Sequence, residues 1–435
     1  MGMYVTSFAK IFTVLMGQLV NGTIKKKKAN SRSVFYKISA WLHLWLGLAS
    51  SIIMIIVCLT GCIWVFQDEI TAMLEPETKV AVVNAPVLTP SALIHIADSL
   101  YPGKNPNYAT YQQGRAITLA LGKGRAGNTI LRINPYNGQV ISKKVQKKGE
   151  TDFFRFILNG HRALWLPYDT GRTIVNYGTL IFVLILITGI VLWWPRKWTK
   201  AAREQSFKIK WKASFKRVNY DLHNVLGFYS LIVLLAIGLT GMVYGIQWYS
   251  KGLYWVTSGG ESLPDFRRSK SDSLQLGKLY TPAQAMDVCW QKVVSKNPDA
   301  QGFYYGFADT SRPASVISMT IYPTAGKYYN NRSFTFDQHT GKEIRGGNKV
   351  FEARFEQASA ASKLRRMNYD IHVGTILGLP GKIMAFFAAL IGASLPVTGF
   401  IVWWGKKKKK SKTNSKPLQK STSGQDLIRG APQSA

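Results

Sequence analysis

Four of the six histidines in this 435-residue chain stand at matching places beside apolar runs. His43 opens the run HLWLGLASSIIMIIVCLTG, which ends at Gly61, and His223 opens HNVLGFYSLIVLLAIGLTG, which ends at Gly241. Both runs are long enough to cross a bilayer, where an ionisable side chain is costly unless it has a function. The two imidazoles are therefore the first candidates for a functional site.

Two further histidines precede the other apolar runs. His161 (NGHRALWLP) lies before a run that ends ITGIVLWWPRK, and His372 (YDIHVGTILGLPG) lies before one that ends VTGFIVWWGKK. An unbroken helix from His372 through Trp404 would be roughly 48 Å long, which exceeds the apolar thickness of a bilayer. Either His372 lies at the membrane boundary, or the helix breaks at residues 379–381. Residues 166–167, which are Leu-Pro, offer the same break after His161.

An imidazole is a common axial ligand of haem iron, which takes one ligand on each face. One histidine from each half of the chain, at equal depth in a helical bundle, has the geometry for such ligation. We predict two bis-histidine haem sites, His43/His223 at one membrane face and His161/His372 at the other. The alternative is that these imidazoles bind backbone or lipid groups at helix entrances. Zinc or copper fits less well, because no Asp, Glu or Cys joins at ligand spacing.

Charged residues near the histidines are assigned supporting roles. Arg162, Arg217 and Arg366 are predicted to bind haem propionates, or else to anchor the chain at the membrane interface. Asp221 and Asp370 end two matching Asn-Tyr-Asp triplets that precede histidines. Both aspartates are predicted to be helix N-caps.

The cysteines bear on how a haem could be held. Cys58 and Cys62 lie one helical turn apart in the first apolar run, and Cys289 is alone in a polar segment. No CxxCH haem-attachment motif is present, so the predicted haems are non-covalent and b-type. No ligand role is predicted for His95 or His339, because neither has a matching partner.

Hydrophobic residues make up 46% of the chain and concentrate in four windows, at 41–66, 174–194, 224–248 and 380–404. Each window reaches the ~20 residues that a membrane-spanning helix needs. The remaining segments are polar. The chain is therefore predicted to be a membrane protein with substantial parts outside the bilayer.

The formal net charge is +34, and basic residues cluster next to the predicted spans, at 25–28, 196–217 and 406–410. Such clusters mark the cytoplasmic side and attract anionic lipid, so anionic lipid is an expected partner and nucleic acid is not. Both termini are predicted to be cytoplasmic. The long segments at about 67–173 and 251–378 are predicted to lie on the other side.

These two long segments predict the same small fold, a helix followed by strands with a tight turn. The predicted helices are 88–102 and 280–293, and the predicted strands are 117–121, 130–142, 315–323 and 332–344. The predicted fold class is therefore a membrane α-helical bundle of four transmembrane helices in two tandem repeats, with two α+β modules. Parallel repeats of this kind are related by an axis along the membrane normal.

The predicted boundaries follow the spans and the basic segments. A cytoplasmic N-terminal segment covers 1–34 and includes an interfacial helix or extension at 1–24. In the first half, the first span is 35–66, the first module is 67–160, and the His161 segment with the second span is 161–195. A cytoplasmic basic loop at 196–218 leads to the third span at 219–250, the second module at 251–367, the His372 segment with the fourth span at 368–405, and a disordered basic tail at 406–435.

Taken together, these motifs resemble the PepSY-associated transmembrane family over about residues 35–407. The resemblance rests on H-x3-G…L-T-G at 43–61 and 223–241, the TG-x3-WW endings, and the module motifs NPYNGQV and DQHTGKE. Some members are similar to haem-containing ferrisiderophore reductases of the bacterial inner membrane. The resemblance therefore implies periplasmic PepSY-like modules and an oxidoreductase of iron acquisition that reduces a ferric siderophore or other ferric chelate.

No flavin- or nicotinamide-binding domain is expected in the chain, so the electron donor is expected to be a cytoplasmic reductase or a membrane quinol. Two other functions remain open. The chain could be a non-enzymatic PepSY-type binding protein with structural histidines, or an electron relay to another periplasmic partner. A transporter is disfavoured, because the spans have no charged residue near the middle of the membrane.

Overall fold

The computed structural model describes residues 32–122, 128–147, 149–272, 274 and 277–414, so the interfacial helix predicted within residues 1–24 lies outside the described residues. The helices are α1 (Val34–Val65), α2 (Gln67–Leu74), α3 (Pro90–Leu100), α4 (Phe153–Ala163), α5 (Tyr168–Trp193), α6 (Lys200–Phe207), α7 (Phe215–Asp221), α8 (Gly227–Gly245), α9 (Gln247–Ser258), α10 (Pro282–Val294), α11 (Lys349–Glu352), α12 (Ala360–Val373) and α13 (Gly378–Asn414). The strands are β1 (Pro106–Gln112), β2 (Ile117–Leu121), β3 (Asn128–Ile133), β4 (Val140–Gln146), β5 (Gly302–Gly306), β6 (Val316–Tyr322) and β7 (Arg332–Asp337).

Within the described residues, four helical segments are long and apolar enough to cross a membrane, and they coincide with the four predicted spans. Spans 1 to 4 are Val34–Val65, Tyr168–Trp193, Phe215–Gly245 and Thr375–Gly405. Only about a quarter of each apolar window is buried inside the protein, so most of its surface faces outward. An apolar surface of this extent requires lipid around it. The chain is a multi-pass membrane protein.

The spans pack as a ring, in which each span contacts its neighbours in sequence and span 4 closes against span 1. Met54, Phe182, Leu234 and Ala388 form one buried cluster with contributions from all four spans. Small residues let the helices approach closely, and a side chain at Gly392 would meet the Cys58 sulfur. The bundle is therefore closed at mid-membrane by packed apolar side chains.

Short helices precede spans 2 and 4, and both are separated from their span by a break. Helix α4 ends at Ala163, after which Leu164 and Trp165 have positive φ, and Pro167 leads into span 2. Helix α12 ends at Val373 and is followed by the positive-φ residues Gly374 and Gly378. The break option predicted for both helices is therefore confirmed. The second break lies at residues 374–378 rather than 379–381, because Gly374 supplies the left-handed conformation that ends the helix.

Helix α13 continues past span 4 to Asn414. The basic tail predicted to be disordered from residue 406 is therefore helical up to Asn414, which corrects that boundary. Lysine has good intrinsic helix propensity, so the lysine run extends the helix that span 4 has already formed. Residues 415–435 lie outside the described residues.

The strands form one antiparallel sheet in the order β4-β3-β2-β1-β5-β6-β7. The predicted helices are confirmed as α3 and α10, whose N-caps are Thr89 and Thr281, and the predicted strands are confirmed as β2, β3, β4, β6 and β7. Strands β1 and β5 were not predicted, and they pair with each other through Ala109 and Tyr305. The prediction of one small sheet in each module was therefore wrong, because the two modules share a single sheet.

The sheet lies against the end of the bundle that carries α4 and α12, where the Tyr328 backbone N–H donates to the Asp370 carboxylate at 3.1 Å. We call this end the sheet side, and the opposite end, next to the basic segment 196–217, the basic side.

A G-x-G-x-x-G string at 122–127 follows β2 and precedes β3. These two strands pair antiparallel, whereas a dinucleotide motif lies where a strand leads into a helix, so the described elements on either side do not match that motif.

Trp290 of α10 packs on the seam between the two modules. It is 2% exposed, and its ring centroid lies 4.5 Å from that of Tyr111 in β1 and 5.3 Å from that of Phe303 in β5. We expect Trp290→Ala to lower the free energy of unfolding of the sheet by about 3–5 kcal/mol, as for other buried aromatic truncations. Faster hydrogen exchange of the β1 and β5 amides measures the effect. Trp211→Ala, which removes a 69% exposed ring, is the control.

Candidate functional site

His43 and His223 face each other at the basic side of the bundle. Their ring centroids lie 6.2 Å apart, with 86° between the ring planes. His43 lies in the regular helix of span 1, whereas His223 lies in the π-helical turn Leu222–Leu226 of span 3. Turns of this type are rare and occur frequently at functional sites, since they redirect a side chain within a helix. The structure thus brings together the two histidines that open the matching apolar runs.

Each imidazole of this pair is held through its Nδ1 atom by the next span along the chain. His43 Nδ1 lies 3.0 Å from the Ile185 carbonyl oxygen and 3.2 Å from Thr188 Oγ1. His223 Nδ1 lies 3.1 Å from the Leu395 carbonyl oxygen and 3.0 Å from Thr398 Oγ1. A carbonyl oxygen only accepts, so Nδ1 carries the hydrogen in both rings. The lone pair of each ring is therefore on Nε2, the nitrogen that a metal ion would bind.

His161 and His372 form the equivalent pair at the sheet side, again with centroids 6.2 Å apart and with an interplanar angle of 65°. His161 Nδ1 donates to the Val57 carbonyl at 2.8 Å, and His372 Nδ1 donates to the Ile237 carbonyl at 3.0 Å. The hydroxyls of Thr60 and Thr240 lie 3.3 Å and 3.0 Å from the same two nitrogens. The arrangement at the basic side is thus repeated at the sheet side.

Each of the four imidazoles contacts a Thr-Gly pair of its own. A Cβ atom added to the glycine would lie 3.1–3.4 Å from the Cε1 atom of the facing ring at all four positions. The four Thr-Gly pairs are Thr60-Gly61 at His161, Thr188-Gly189 at His43, Thr240-Gly241 at His372 and Thr398-Gly399 at His223. The threonine accepts the Nδ1–H and the glycine leaves room for the ring. The sequence analysis noted these pairs only as a repeat mark and assigned them no role.

The geometry of both pairs fits a shared metal ion. Metal–imidazole nitrogen distances of about 2 Å place two opposed ring centres roughly 6 Å apart, and both observed separations are 6.2 Å. Within the described residues, no group of three or more His, Cys, Asp or Glu side chains could hold a metal ion. Two nitrogens alone do not complete a zinc or copper site. They do complete an iron whose other ligands come from a porphyrin, so the donor set fits haem.

The basic-side pair also borders a cavity of about 450 Å³. Both imidazoles line it, together with Gly47, Gly189 and Gly399. A Cβ atom added to Gly47 would meet no atom within 4 Å, so this glycine leaves open space next to His43. A cavity of this volume, mostly apolar and with two convergent ring nitrogens, is typical of a cofactor site.

The predicted arginine partners lie in three different settings. Arg217 forms an ion pair with buried Asp221 at 2.9 Å, and Arg162 donates to the Tyr168 hydroxyl at 2.7 Å. Arg366 is 2% exposed and donates to the backbone carbonyls of Tyr329, Ala353 and Asn331. These carbonyls belong to the loops on either side of β7 and α11, so Arg366 holds the second module together rather than facing the histidines. The propionate role of Arg162 and Arg217 stays a prediction.

The two aspartates predicted as N-caps do not cap helices. The caps of α7 and α12 are Ser214 and Ser359. Asp221 accepts from Arg217 and from the Lys210 backbone N–H, and Asp370 accepts from the Tyr328 backbone N–H and the Thr375 hydroxyl. The helices begin earlier than predicted, at Phe215 and Ala360, and the buried carboxylates instead connect each helix to the neighbouring loop.

The two remaining histidines lie in the modules, away from both pairs. His95 is exposed on α3, and His339 Nε2 lies 3.0 Å from the Pro313 carbonyl oxygen in a turn. Cys58, Cys62 and Cys289 are buried free thiols. Burial raises the pKa of Cys289 to about 12, so this thiol stays protonated and is a poor metal ligand.

The fold and the site define a four-span membrane protein. Paired histidines lie at both ends of the bundle, and an antiparallel sheet with its helices covers one end. A family model described as the PepSY-associated TM region matches residues 40–406. The chain belongs to this family. No curated protein matches it.

The threonine contact leads to a graded prediction. For the haem predicted at the basic-side pair, we expect Thr398→Val to weaken binding by roughly tenfold or more, since partners of the second imidazole nitrogen tune ligand affinity by 10–100-fold. Thr398→Ser keeps the hydroxyl that accepts from His223 and is the matched control. Haem retention after dilution, followed by absorbance, measures the effect. Equal haem loss from both variants would contradict a role for the hydroxyl.

Proposed function

We propose that the protein carries electrons across the membrane through two b-type haems and delivers them to a ferric chelate, such as a ferric siderophore, on the sheet side. In this proposal His43 and His223 ligate one haem, and His161 and His372 ligate the other. The observation that carries the proposal is the fourfold Nδ1 contact, which leaves the lone pair of each ring on Nε2, together with the equal spacing of 6.2 Å between ring centroids in the two pairs. The protein would accordingly act as an oxidoreductase of iron acquisition.

A haem bound between two imidazoles supplies a one-electron couple and leaves no open coordination position. The residues of the chain supply the positioning. The carbonyl and threonine acceptors fix the tautomer and the orientation of each ring, and an accepted Nδ1–H raises the basicity of Nε2. The facing glycines bring spans 1 to 4 close enough to hold the rings in place.

The region between the two pairs supports electron transfer without leakage of ions. Thr60 follows His43 by 17 positions on span 1, which corresponds to roughly 26 Å of helix. Between them, Met54, Cys58, Phe182 and Leu234 pack into a buried cluster. Protons and hydrated ions do not pass such a cluster, because a charge in an apolar interior is strongly disfavoured. Electrons require no aqueous path.

The basic clusters give the proposal a direction. Lysine and arginine next to membrane spans favour the cytoplasmic side, so we place the basic side and both termini in the cytoplasm and the sheet in the periplasm of a bacterial inner membrane. Electrons would enter at His43/His223 from a cytoplasmic reductase or a membrane quinol. They would leave at His161/His372.

Purification followed by an absorbance spectrum and a haem assay tests the proposal. We expect a Soret band, α and β bands that sharpen on dithionite addition, and two haems per chain. Absence of haem after expression with added haem would contradict the proposal and favour a binding protein with structural histidines. Vesicles that contain the protein and an internal reductant should then reduce an external ferric chelate. If the haem-containing protein does not reduce the ferric chelate in this second assay, the protein would be an electron relay to another partner.

A further inference from the structure

Two arginines and two tyrosines form an exposed patch directly beside the sheet-side pair. Tyr168 lies between the guanidinium groups of Arg162 and Arg172, whose central carbons are 5.5 Å and 5.8 Å from its ring centroid. Arg162 donates to the Tyr168 hydroxyl at 2.7 Å, and Arg172 donates to the Tyr244 carbonyl at 2.8 Å. These contacts join the end of α4, the start of span 2 and the end of span 3.

The patch connects the surface to the imidazoles. Arg162 directly follows His161 in sequence, and the Tyr244 ring lies edge-on to the His372 ring with a centroid distance of 5.9 Å. Tyr168 and Tyr244 are 44% and 46% exposed. A molecule on this patch would therefore be separated from the sheet-side pair by a single aromatic ring.

The charge of the patch is not neutralised within the described part of the chain. Neither Arg162 nor Arg172 lies within ion-pair distance of a carboxylate there, although Asp169 is in the same turn as Tyr168. Arg217, near the other histidine pair, is by contrast bound to Asp221. Two neighbouring guanidinium groups repel each other, and an anion that accepts from both relieves this repulsion. Guanidinium groups present forked donors that match carboxylate geometry.

We propose that this Arg–Tyr patch binds the ferric chelate and selects anionic carboxylate chelates over neutral ones. The inference rests on the proposed function for its purpose. In the reaction each chelated Fe(III) takes up one electron and becomes Fe(II), and no covalent bond forms or breaks at the chelate. The donor is a reduced flavoprotein, or a quinol that reduces two chelates and releases two protons as it becomes the quinone. The chelate gains one negative charge, so two facing guanidinium groups favour the reduced complex.

Binding of a redox-inert analogue tests the inference without electron transfer. Gallium(III) citrate is the anionic probe, and neutral gallium(III) tris(acetohydroxamate) is the comparison. The full-length protein in nanodiscs is equilibrated with each complex, and bound gallium is measured after ultrafiltration. We expect the wild type to bind the citrate complex, with weaker binding at higher salt, and to bind the neutral complex at least roughly tenfold more weakly.

Variants locate the binding to the patch. We expect R162Q/R172Q and the single variant R172Q each to weaken citrate-complex binding by roughly tenfold or more. The control K143Q/K144Q also removes two positive charges, from exposed positions on the edge strand β4, and should bind as the wild type does. Unchanged binding in R172Q, or equal loss in the lysine control, would overturn the inference.

The same measurements separate this inference from the proposed function. Gallium binding requires neither haem nor a reductant. A protein that never takes up haem would therefore contradict the proposed function, and the binding test would remain valid. Haem loss in R162Q with gallium binding retained would instead place Arg162 at a haem propionate and overturn the inference. Two haems per chain with no gallium binding in the wild type would also overturn it, and the proposed function would stand.

Discussion

Replacing His223 with alanine is expected to reduce the haem content from two per chain to one. The variant removes one Nε2 ligand of the basic-side pair and leaves His161 and His372, at the other end of the bundle, unchanged. His43→Ala should have the same effect, since each imidazole is half of one site. A pyridine haemochrome assay per mole of protein measures the result, and the α band should fall by about half.

The complementary variants make this prediction specific. His372→Ala or His161→Ala should remove the other haem, and the combination of His223→Ala with His372→Ala should leave none. His339→Ala is the matched control, because this buried imidazole lies in the second module, where its Nε2 contacts the Pro313 carbonyl oxygen. If each single variant lost both haems equally while size-exclusion elution stayed unchanged, two independent sites would be ruled out.

The second large effect is expected from Gly47→Phe. A Cβ atom added at this position meets no atom within 4 Å, and Gly47 lines the cavity of about 450 Å³ beside His43. The helix and both histidines can therefore remain in place while the phenyl ring occupies the space predicted for a porphyrin. We expect loss of one haem, as in His223→Ala, from a protein that inserts and elutes normally.

Gly252→Phe provides the matched control for this substitution. Gly252 also lies in a helix, α9, and a Cβ atom there meets no atom within 4 Å, but the residue is not part of the cavity. It should retain two haems. Two haems in Gly47→Phe would contradict the assignment of the cavity to the cofactor, even if the histidine variants behaved as expected.

The failures of the sequence analysis in the sheet share a physical cause. Strands β1 (PNYATYQ) and β5 (GFYYG) lack the alternation of β-branched and polar residues that marks β2 or β6. Their burial comes from pairing with each other, although the two strands are far apart in sequence, and from Trp290 of α10, which contacts both. A local sequence pattern predicts a strand only when apolar and polar side chains alternate between the two faces of that strand. The central pair of this sheet is therefore visible only after the two modules meet.

The supporting residues were misassigned for a related reason. Asp370 and Arg366 resemble ordinary capping and interface residues in sequence, yet both are buried and bind loops of the second module. Which carbonyl or amide a polar side chain meets depends on the neighbour that packs against it. The sequence of a single helix contains no information about that neighbour.

The sequence by itself determined the four spans and the four histidines that face one another, because the thickness of the bilayer forces long apolar runs and makes polar exceptions within them conspicuous. The tertiary structure decided how those histidines are held. The helix breaks after His161 and His372 turn their short helices onto spans 1 and 3, and each Thr-Gly pair acts on an imidazole of a different helix. Hydrogen bonds between helices depend on packing and register, which no repeat in one dimension specifies.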